Sequence, residues 1–188
     1  SGNGFIMVQG QPAGIEDYRF GWKATTDDGD TWDANWTWVN PYDAAYLGGV
    51  LGDSVAALNY EVDFIVQGSA NPFFVGTFVD TIDGTATGIY VISNMGGGWK
   101  AELMRTVNAT SLALAGGLTT LNNVEFARSE DGTVVCVKYG DLPSSTDTNF
   151  DMFVRWFDGT SWSAEENITN TPAVNEVYQQ TAPRLHFD

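Results

Sequence analysis

Residues 18–40 read YRFGWKATTDDGDTWDANWTWVN, two runs of alternating side chains on either side of a turn that contains Gly29. Alternation with a period of two, rich in aromatic and β-branched residues and bounded by Asp and Gly, is typical of two strands joined as a hairpin. Thr87–Asn108 and Phe150–Asn170 repeat the same order of strand, Gly-bearing turn, Trp and strand. The repeated tryptophans are Trp32, Trp99 and Trp162. An internal repeat of this length predicts serial copies of one structural unit.

A second pair of strands precedes the later hairpins. Asn122–Tyr139 contains two alternating runs around Asp131-Gly132. Its counterpart before the second hairpin is Asn59–Gln67 followed by Phe73–Asp80. Before the first hairpin, Gly4–Gln9 supplies one strand of the pair, so the first unit is one strand short.

The missing strand is predicted at the other end of the sequence. When the sequence of Ala182–Asp188 is placed directly before that of Ser1–Gln9, the joined segment aligns with the two-strand segment Asn123–Lys138. Four-stranded antiparallel units in series are the blades of a β-propeller. The sequence therefore predicts an all-β propeller segment of about three blades, half of a six-bladed propeller. The predicted boundaries are blade 1 at about 1–42, completed by the strand 182–188, blade 2 at about 55–108 and blade 3 at about 120–171.

Composition excludes several classes of partner. Eight Lys and Arg residues against 24 Asp and Glu give a formal net charge of −16 over 188 residues. Nucleic acid and anionic membrane surfaces would repel such a chain, and no apolar run is long enough to span a bilayer. A content of 21 Gly and few Lys is typical of extracellular β-proteins, so we expect a secreted or cell-surface location. The single cysteine, Cys136, lies in an alternating run and is expected to be a buried strand residue.

The turn of the first hairpin resembles a known repeat. Its pattern Thr25-x-Asp27-x-Gly29-x-Thr31-Trp32 is similar to the Asp-box of sialidase-type propellers, the bacterial neuraminidase repeats. Phe157–Trp162 resembles a degenerate copy and Ser93–Trp99 a weaker one, so the resemblance covers essentially the whole chain. A second likeness, to propeller repeats of secreted Bacteroidetes proteins, rests on Asn167–Pro172, Glu176–Tyr178 and Pro183.

The Asp-box has a physical interpretation of its own. Gly29 can adopt the positive φ that the turn needs, and Asp27 can accept hydrogen bonds from turn amides. Trp32 is expected to fill the hydrophobic layer between sheets. The resemblance implies a structural motif on an outer turn, remote from any active site. The neighbouring acids, Asp27, Asp28, Asp30 and Asp33, leave a calcium site open as an alternative.

Catalysis is not expected from these residues. The resemblance implies that a sialidase needs three carboxylate-binding arginines, a Tyr–Glu nucleophile, an acidic Asp and a Phe/Tyr-Arg-Ile-Pro motif. Here Arg19 lies in Tyr-Arg-Phe-Gly and Arg184 in Pro-Arg-Leu-His, outside that motif. His186 is the single histidine, and no Gly-x-Ser-x-Gly elbow, zinc spacing or phosphate loop is present. A pair of carboxylates acting as a glycosidase remains an alternative.

The predicted innermost strands carry polar side chains in register. When the three inner strands are aligned on Phe64, Phe126 and Phe187, the residue just before each phenylalanine is polar, and so is the residue two positions earlier. Because side chains alternate along a strand, both sets lie on one face. The two sets are Asp63, Glu125 and His186, and Glu61, Asn123 and Arg184. Because inner strands line the channel of a propeller, these six residues are candidates for binding a polar ligand such as a sugar or a cation; a solvated channel wall is the alternative.

A second candidate site is aromatic. Trp36 and Trp38 could stack on sugar rings, or they could pack between blades.

Three blades cannot close a ring, which bears directly on function. Either the chain is half of a larger propeller, or identical chains complete one another through Ala182–Asp188 and Gly4–Gln9. We expect a non-catalytic extracellular module for binding, adhesion or assembly, with itself, a complementary propeller fragment or a glycan as partner and with no cofactor. Two alternatives remain: a fragment of a sialidase-like propeller glycoside hydrolase, and a structural subunit of an extracellular filament.

Overall fold

The computed structural model describes residues 2–15, 18–41, 56–68, 70–80, 86–95, 98–108, 122–171, 173–176 and 181–185. These residues form strands and turns, with no helix among them. The strands are β1 (Gly4–Gly10), β2 (Arg19–Thr25), β3 (Thr37–Val39), β4 (Ala56–Gln67), β5 (Asn71–Asp80), β6 (Ala86–Asn94), β7 (Trp99–Thr106), β8 (Glu125–Ser129), β9 (Val135–Asp141), β10 (Asp151–Phe157), β11 (Glu166–Asn167) and β12 (Arg184–Leu185). The all-β class is confirmed.

The strands form three sheets that follow one another along the chain. Sheet 1 has the order β1-β2-β3, sheet 2 has β4-β5-β6-β7, and sheet 3 has β11-β10-β9-β8-β12. Every neighbouring pair is antiparallel except β12 with β8, which is parallel. The predicted hairpins around the three Gly-bearing turns therefore correspond to β2–β3, β6–β7 and β10–β11.

The C-terminal strand differs from the expectation. Ala182–Asp188 was expected to pair with Gly4–Gln9, but within one chain Arg184 and Leu185 lie opposite Arg128 and Ser129 of β8. The register is set by two contacts of sheet 3: the amide of Arg128 donates to Pro183 O at 3.3 Å, and the amide of Thr181 donates to Glu125 Oε2 at 2.6 Å. Among the described residues of a single chain, sheet 1 consequently has three strands. Residues 186–188, at the end of this segment, lie outside the described residues.

Sheet 2 is buried on both faces by aromatic packing. Phe74 stacks on Phe20 of sheet 1 with ring centroids 4.7 Å apart. Its neighbour Phe73 points to the opposite face and contacts Phe126 and Phe157 of sheet 3, at 6.5 and 5.5 Å. Because successive side chains of a strand face opposite sides, Phe74 packs against sheet 1 and Phe73 packs against sheet 3.

The hairpin tryptophans do not all pack alike. Trp99 lies 5.3 Å from Trp22 of sheet 1, and Trp162 lies 6.2 Å from Phe73 of sheet 2. Each of these two indoles therefore packs on the sheet that precedes its own. Trp32 was expected to fill such a layer, but it is 38% exposed. The reason is that no described sheet precedes sheet 1.

Polar contacts also hold sheets 2 and 3 together. The Arg105 guanidinium contacts the buried Asp141 carboxylate at 2.6 Å and stacks 3.9 Å above the Phe153 ring. The amide of Gly68 donates to Gly132 O at 2.9 Å and ties the inner turns of the two sheets together. Cys136 is buried in sheet 3, as predicted, and burial raises the pKa of its thiol to about 11.

We predict that Phe74→Ala destabilises the fold by about 3–5 kcal/mol, the usual cost of removing a fully packed phenyl ring. Phe74 is completely buried and contacts the rings of Phe20, Trp22 and Trp99. Urea unfolding followed by tryptophan fluorescence measures the loss. Leu103→Ala is the matched control because Leu103 is 38% exposed. Equal losses in the two variants would contradict this account of the core.

Candidate functional site

Four of the six predicted channel residues lie together. Glu61 and Asp63 of β4, Asn123 just before β8 and Glu125 within β8 line one cavity of about 460 Å³. Val62 packs against the core between sheets 1 and 2, and Val124 lies in the core between sheets 2 and 3. Val62, Val124 and Phe126 also border this cavity, so its walls are both polar and apolar.

The two remaining residues are placed differently. Arg184 is exposed and lines a neighbouring groove, whereas His186 lies outside the described residues. The groove has a volume of about 930 Å³. Its walls are Asn3–Phe5 at the start of β1, part of β4, Phe126 and Arg128 of β8, and Ala182–Arg184.

The carboxylates of β4 bind the backbone of the next sheet. Glu61 Oε2 accepts hydrogen bonds from the amides of Asn122 and Asn123, at 3.0 and 2.9 Å. Asp63 Oδ2 accepts from the amide of Phe126 at 2.7 Å, and its Oδ1 accepts from Phe64. These bonds connect β4 to backbone amides at the start of β8 and in the segment just before it. The side chains selected from the sequence as ligand candidates thus hold sheet 2 to sheet 3.

Glu125 makes a similar contact within sheet 3. Its Oε2 accepts from Lys138 Nζ at 2.9 Å and from the amide of Thr181 at 2.6 Å. Burial raises the pKa of Asp63 above its usual value, and the two amide bonds oppose that rise only in part. Burial also acts on Glu125, but the Lys138 and Thr181 hydrogen bonds outweigh it, so the pKa of Glu125 lies below its usual value.

The Asp-box turn is closed by side-chain hydrogen bonds. Thr25 Oγ1 donates to Asp27 Oδ1 at 2.6 Å, and the amide of Thr31 donates to the same oxygen at 2.9 Å. Gly29 has φ +94°, and its amide donates to Thr25 Oγ1 at 3.1 Å. The predicted acceptor role of Asp27 and the positive φ of Gly29 are both confirmed. The hydroxyl of Thr25 is the main cause that lowers the pKa of Asp27 to about 2.

The turn predicted at Asp131-Gly132 is closed in a similar way, which the sequence analysis did not predict. Between β8 and β9, Ser129 Oγ donates to Asp131 Oδ1 at 2.6 Å, and the amide of Thr133 donates to that oxygen at 3.0 Å. The pKa of Asp131 is lowered to about 2, first of all by the Ser129 hydroxyl. The available signal was a hydroxyl residue two positions before and two positions after an Asp.

Two of the four acids around the Asp-box, Asp27 and Asp33, have partners inside the turn. Both carboxylate oxygens of Asp27 accept from Thr25 or Thr31, and Asp33 Oδ2 accepts from the amide of Ala24 at 3.0 Å. Within the described part of the chain, no group of three or more His, Cys, Asp or Glu side chains is arranged to hold a metal ion.

Sheet 1 presents an aromatic surface on the side away from sheet 2. We call the outer face of sheet 1 the surface formed by Ile6, Lys23, Trp32, Trp36 and Trp38. Trp38 lies directly on Gly21, where a Cβ atom would come within 2.7 Å of the indole, and also covers Gly10. The Trp36 ring lies 6.2 Å from the Trp38 ring and 5.5 Å from Lys23 Nζ.

Comparisons with known proteins identify no family for this chain. No protein-family model matches the chain, and no curated protein matches it. The resemblance to sialidase-type repeats thus remains a prediction from the Asp-box and the serial hairpins. Over the residues that the structure describes, no helix is long and apolar enough to cross a membrane.

We predict that Thr25→Val raises the pKa of Asp27 from about 2 toward the ordinary value of 3.8, because the largest stabilising hydrogen bond to the carboxylate is removed. A carboxyl group with a lowered folded-state pKa stabilises the fold above its unfolded-state value, and this contribution is lost as the pH falls toward 2. A ¹³C NMR titration of the Asp27 carboxyl measures the shift. Thr26→Val, at an exposed neighbouring position, should leave the midpoint unchanged, and an equal shift there would contradict the assignment.

We predict that Asp63→Ala costs about 1–3 kcal/mol of stability, because the amide of Phe126 loses its acceptor in a half-buried site. Amide hydrogen exchange at Phe126 should accelerate in parallel. Glu130→Ala, on an exposed turn of sheet 3, is the control. Unchanged exchange at Phe126 would show that the carboxylate does not hold this amide in solution.

Proposed function

We propose that the chain is a non-catalytic propeller module that acts in extracellular assembly and adhesion by completing an unfinished blade with a strand from another polypeptide. The observation that carries the proposal is the composition of sheet 1. It has three strands, whereas sheet 2 has four and sheet 3 has four antiparallel strands and β12. In the sequence repeat, the absent strand is the innermost one, beside β1.

The surroundings of β1 support strand addition. Among the described residues, β1 pairs with β2 alone, so the other edge from Gly4 to Val8 has no strand beside it. An open edge of this kind is a template for another chain. The groove of about 930 Å³ borders the beginning of this edge and gives an extended segment room to enter.

The sequence of the chain contains a suitable donor strand. Ala182–Asp188 completes the repeat in front of Gly4–Gln9, and in the single chain its residues Arg184 and Leu185 pair with β8 by one edge. The opposite edge of β12 faces no other strand among the described residues. The donor segment of one copy can therefore keep its pairing with β8 and receive β1 of a second copy on its other side.

The arginine contacts argue against the alternative of a sialidase-like hydrolase fragment. Arg105 binds Asp141, Arg128 Nη1 donates to Val66 O at 2.9 Å, and Arg155 Nε donates to Ser163 O at 2.8 Å. All three guanidinium groups are thereby engaged in contacts within or between sheets 2 and 3. These contacts favour a structural role for the arginines over a shared carboxylate-binding site.

The proposal predicts concentration-dependent association of the intact chain. Light scattering on a size-exclusion column should give a mass near twice 20.4 kDa for a closed pair, or a series of multiples for a filament. Exchange of the β1 amides that point away from β2 should slow as the concentration rises, because an added strand would give them new hydrogen bonds. A synthetic peptide with the sequence of Ala182–Asp188 should compete with association, and a peptide of the same composition in scrambled order is the control. A monomer at every concentration would refute the proposal.

A further inference from the structure

We propose that Glu125, held in place by Lys138, positions the C-terminal segment of the chain so that the second edge of β12 is presented to another copy. The inference rests on the proposed strand addition and names the residues that control it. We call Thr181–Leu185 the C-terminal segment; these residues are the described part of the donor strand and its approach. Glu125 is a positioning residue, because it acts on the incoming β1 of a second copy through this segment.

The pairing of β12 with β8 is too short to fix the C-terminal segment by itself. It consists of two positions, Arg184 opposite Arg128 and Leu185 opposite Ser129, in a parallel arrangement. Parallel pairing is slightly less stable per residue than antiparallel pairing, and two arginines at neighbouring strand positions repel each other. Residues 182–184 are exposed, so the segment buries little of its own surface. Its position therefore depends on further contacts.

Two hydrogen bonds supply those contacts where the segment begins. The amide of Thr181 donates to Glu125 Oε2 at 2.6 Å, and Pro183 O accepts from the amide of Arg128 at 3.3 Å. The first bond is the shorter one and has a charged acceptor, which makes it the stronger of the two. Proline has no amide hydrogen, so position 183 cannot donate to a neighbouring strand. The bond from Thr181 to Glu125 is thus the stronger anchor of the segment on sheet 3.

Lys138 holds the Glu125 carboxylate in the place that this bond needs. Glu125 of β8 lies opposite Lys138 of β9, and Nζ is 2.9 Å from Oε2, the same oxygen that accepts from Thr181. The Lys138 side chain is 5% exposed and that of Glu125 is 26% exposed. A buried ammonium group is costly unless a carboxylate pairs with it, so the two groups stay together. The anchor is thereby tied to β9, a buried strand in the middle of sheet 3.

The three carboxylates that line the cavity of about 460 Å³ have different partners. Glu61 and Asp63 accept from amides of β4, of β8 and of the residues just before β8. Glu125 accepts from Thr181, which also lines this cavity. Removing the Glu125 carboxylate therefore releases the C-terminal segment and leaves the hydrogen bonds of Glu61 and Asp63 in place.

The anchored segment forms part of the wall of the groove of about 930 Å³. Ala182–Arg184 and the start of β1, Asn3–Phe5, both line this groove. One edge of β12 pairs with β8, and no other described strand pairs with its second edge. The anchor therefore keeps the second edge of β12 beside open space, where β1 of another copy can enter.

The test uses the full chain and two variants that break the same hydrogen bond from opposite sides. Glu125→Ala removes the acceptor, and Thr181→Pro removes the donor. Each should weaken self-association by about tenfold or more, the usual effect of losing a hydrogen bond to a charged group. Glu130→Ala is the matched control, because it removes one negative charge from an exposed turn of sheet 3. Sedimentation velocity measures the association, and thermal unfolding checks that all three variants fold.

The charge of the chain makes the expected direction distinctive. Each copy carries a formal net charge of −16, so the removal of a carboxylate by itself lowers the repulsion between copies and favours association. Glu130→Ala should therefore associate at least as strongly as the unmodified chain. A loss of association in Glu125→Ala runs against this general effect and points to the specific contact.

A synthetic peptide with the sequence of Ala182–Asp188 separates positioning from a general loss of structure. The peptide is expected to bind the edge of β1, which Glu125→Ala leaves intact, so the variant and the unmodified chain should bind it with the same affinity. Amide exchange at Thr181 should accelerate in Glu125→Ala, whereas exchange at Phe126 should stay unchanged because Asp63 still accepts from that amide.

The outcomes distinguish this inference from the proposed function. If the unmodified chain associates and both variants associate like Glu130→Ala, the positioning role is wrong while strand addition stands. If Glu125→Ala weakens association and Thr181→Pro does not, the hydrogen bond between these residues is not the cause and the inference is overturned. It is also overturned if Glu125→Ala folds but fails to bind the peptide. If the unmodified chain is monomeric at every concentration, both the inference and the proposed function are wrong.

Discussion

Two adjacent phenylalanines, Phe73 and Phe74, hold the three sheets together. They stand next to each other on β5 and point to opposite faces of sheet 2, so each meets the aromatic side chains of a different neighbouring sheet. A strand that is buried on both faces can be neither shifted by one residue nor flipped without exchanging its two cores. The packing of sheets 1 and 3 on the two faces of sheet 2 therefore depends on this pair.

The polar contacts connect strands whose positions depend on this aromatic packing. Glu61, Asp63 and Glu125 each span from one inner strand to backbone amides of the next segment, which makes the carboxylates part of the framework around the cavity. A carboxylate that accepts backbone amides is hydrogen-bonded in its charged form without a cation. Glu61 and Asp63 accept from backbone amides, whereas Glu125 accepts from an amide and also pairs with Lys138.

The sequence predicted those parts of the fold that depend on local chemistry. Alternation and Asp-Gly turns predicted the hairpins, and Asp27 and Gly29 predicted the closure of the Asp-box, although the bonds from the Thr25 and Thr31 hydroxyls were not foreseen. The errors concern what a segment packs against. The exposure of Trp32 depends on which sheet precedes sheet 1, and the pairing of Arg184 and Leu185 depends on which strand edge is nearest. Neither the exposure of Trp32 nor this pairing can be predicted from the local alternation of side chains. Four channel residues were found because strand register carries over between repeats, but their backbone partners could not be inferred from the register alone.

The lone thiol has a consequence for where this fold can exist. Cys136 lies within sheet 3 beside Ala127 and Val154, and with its pKa raised to about 11 it stays protonated at neutral pH. A protonated, shielded thiol is a poor nucleophile and a poor target for oxidants. The sequence contains no second cysteine to form a bond with it. No disulfide can form within this sequence, so the contacts that join the described sheets are the same in oxidising and reducing surroundings.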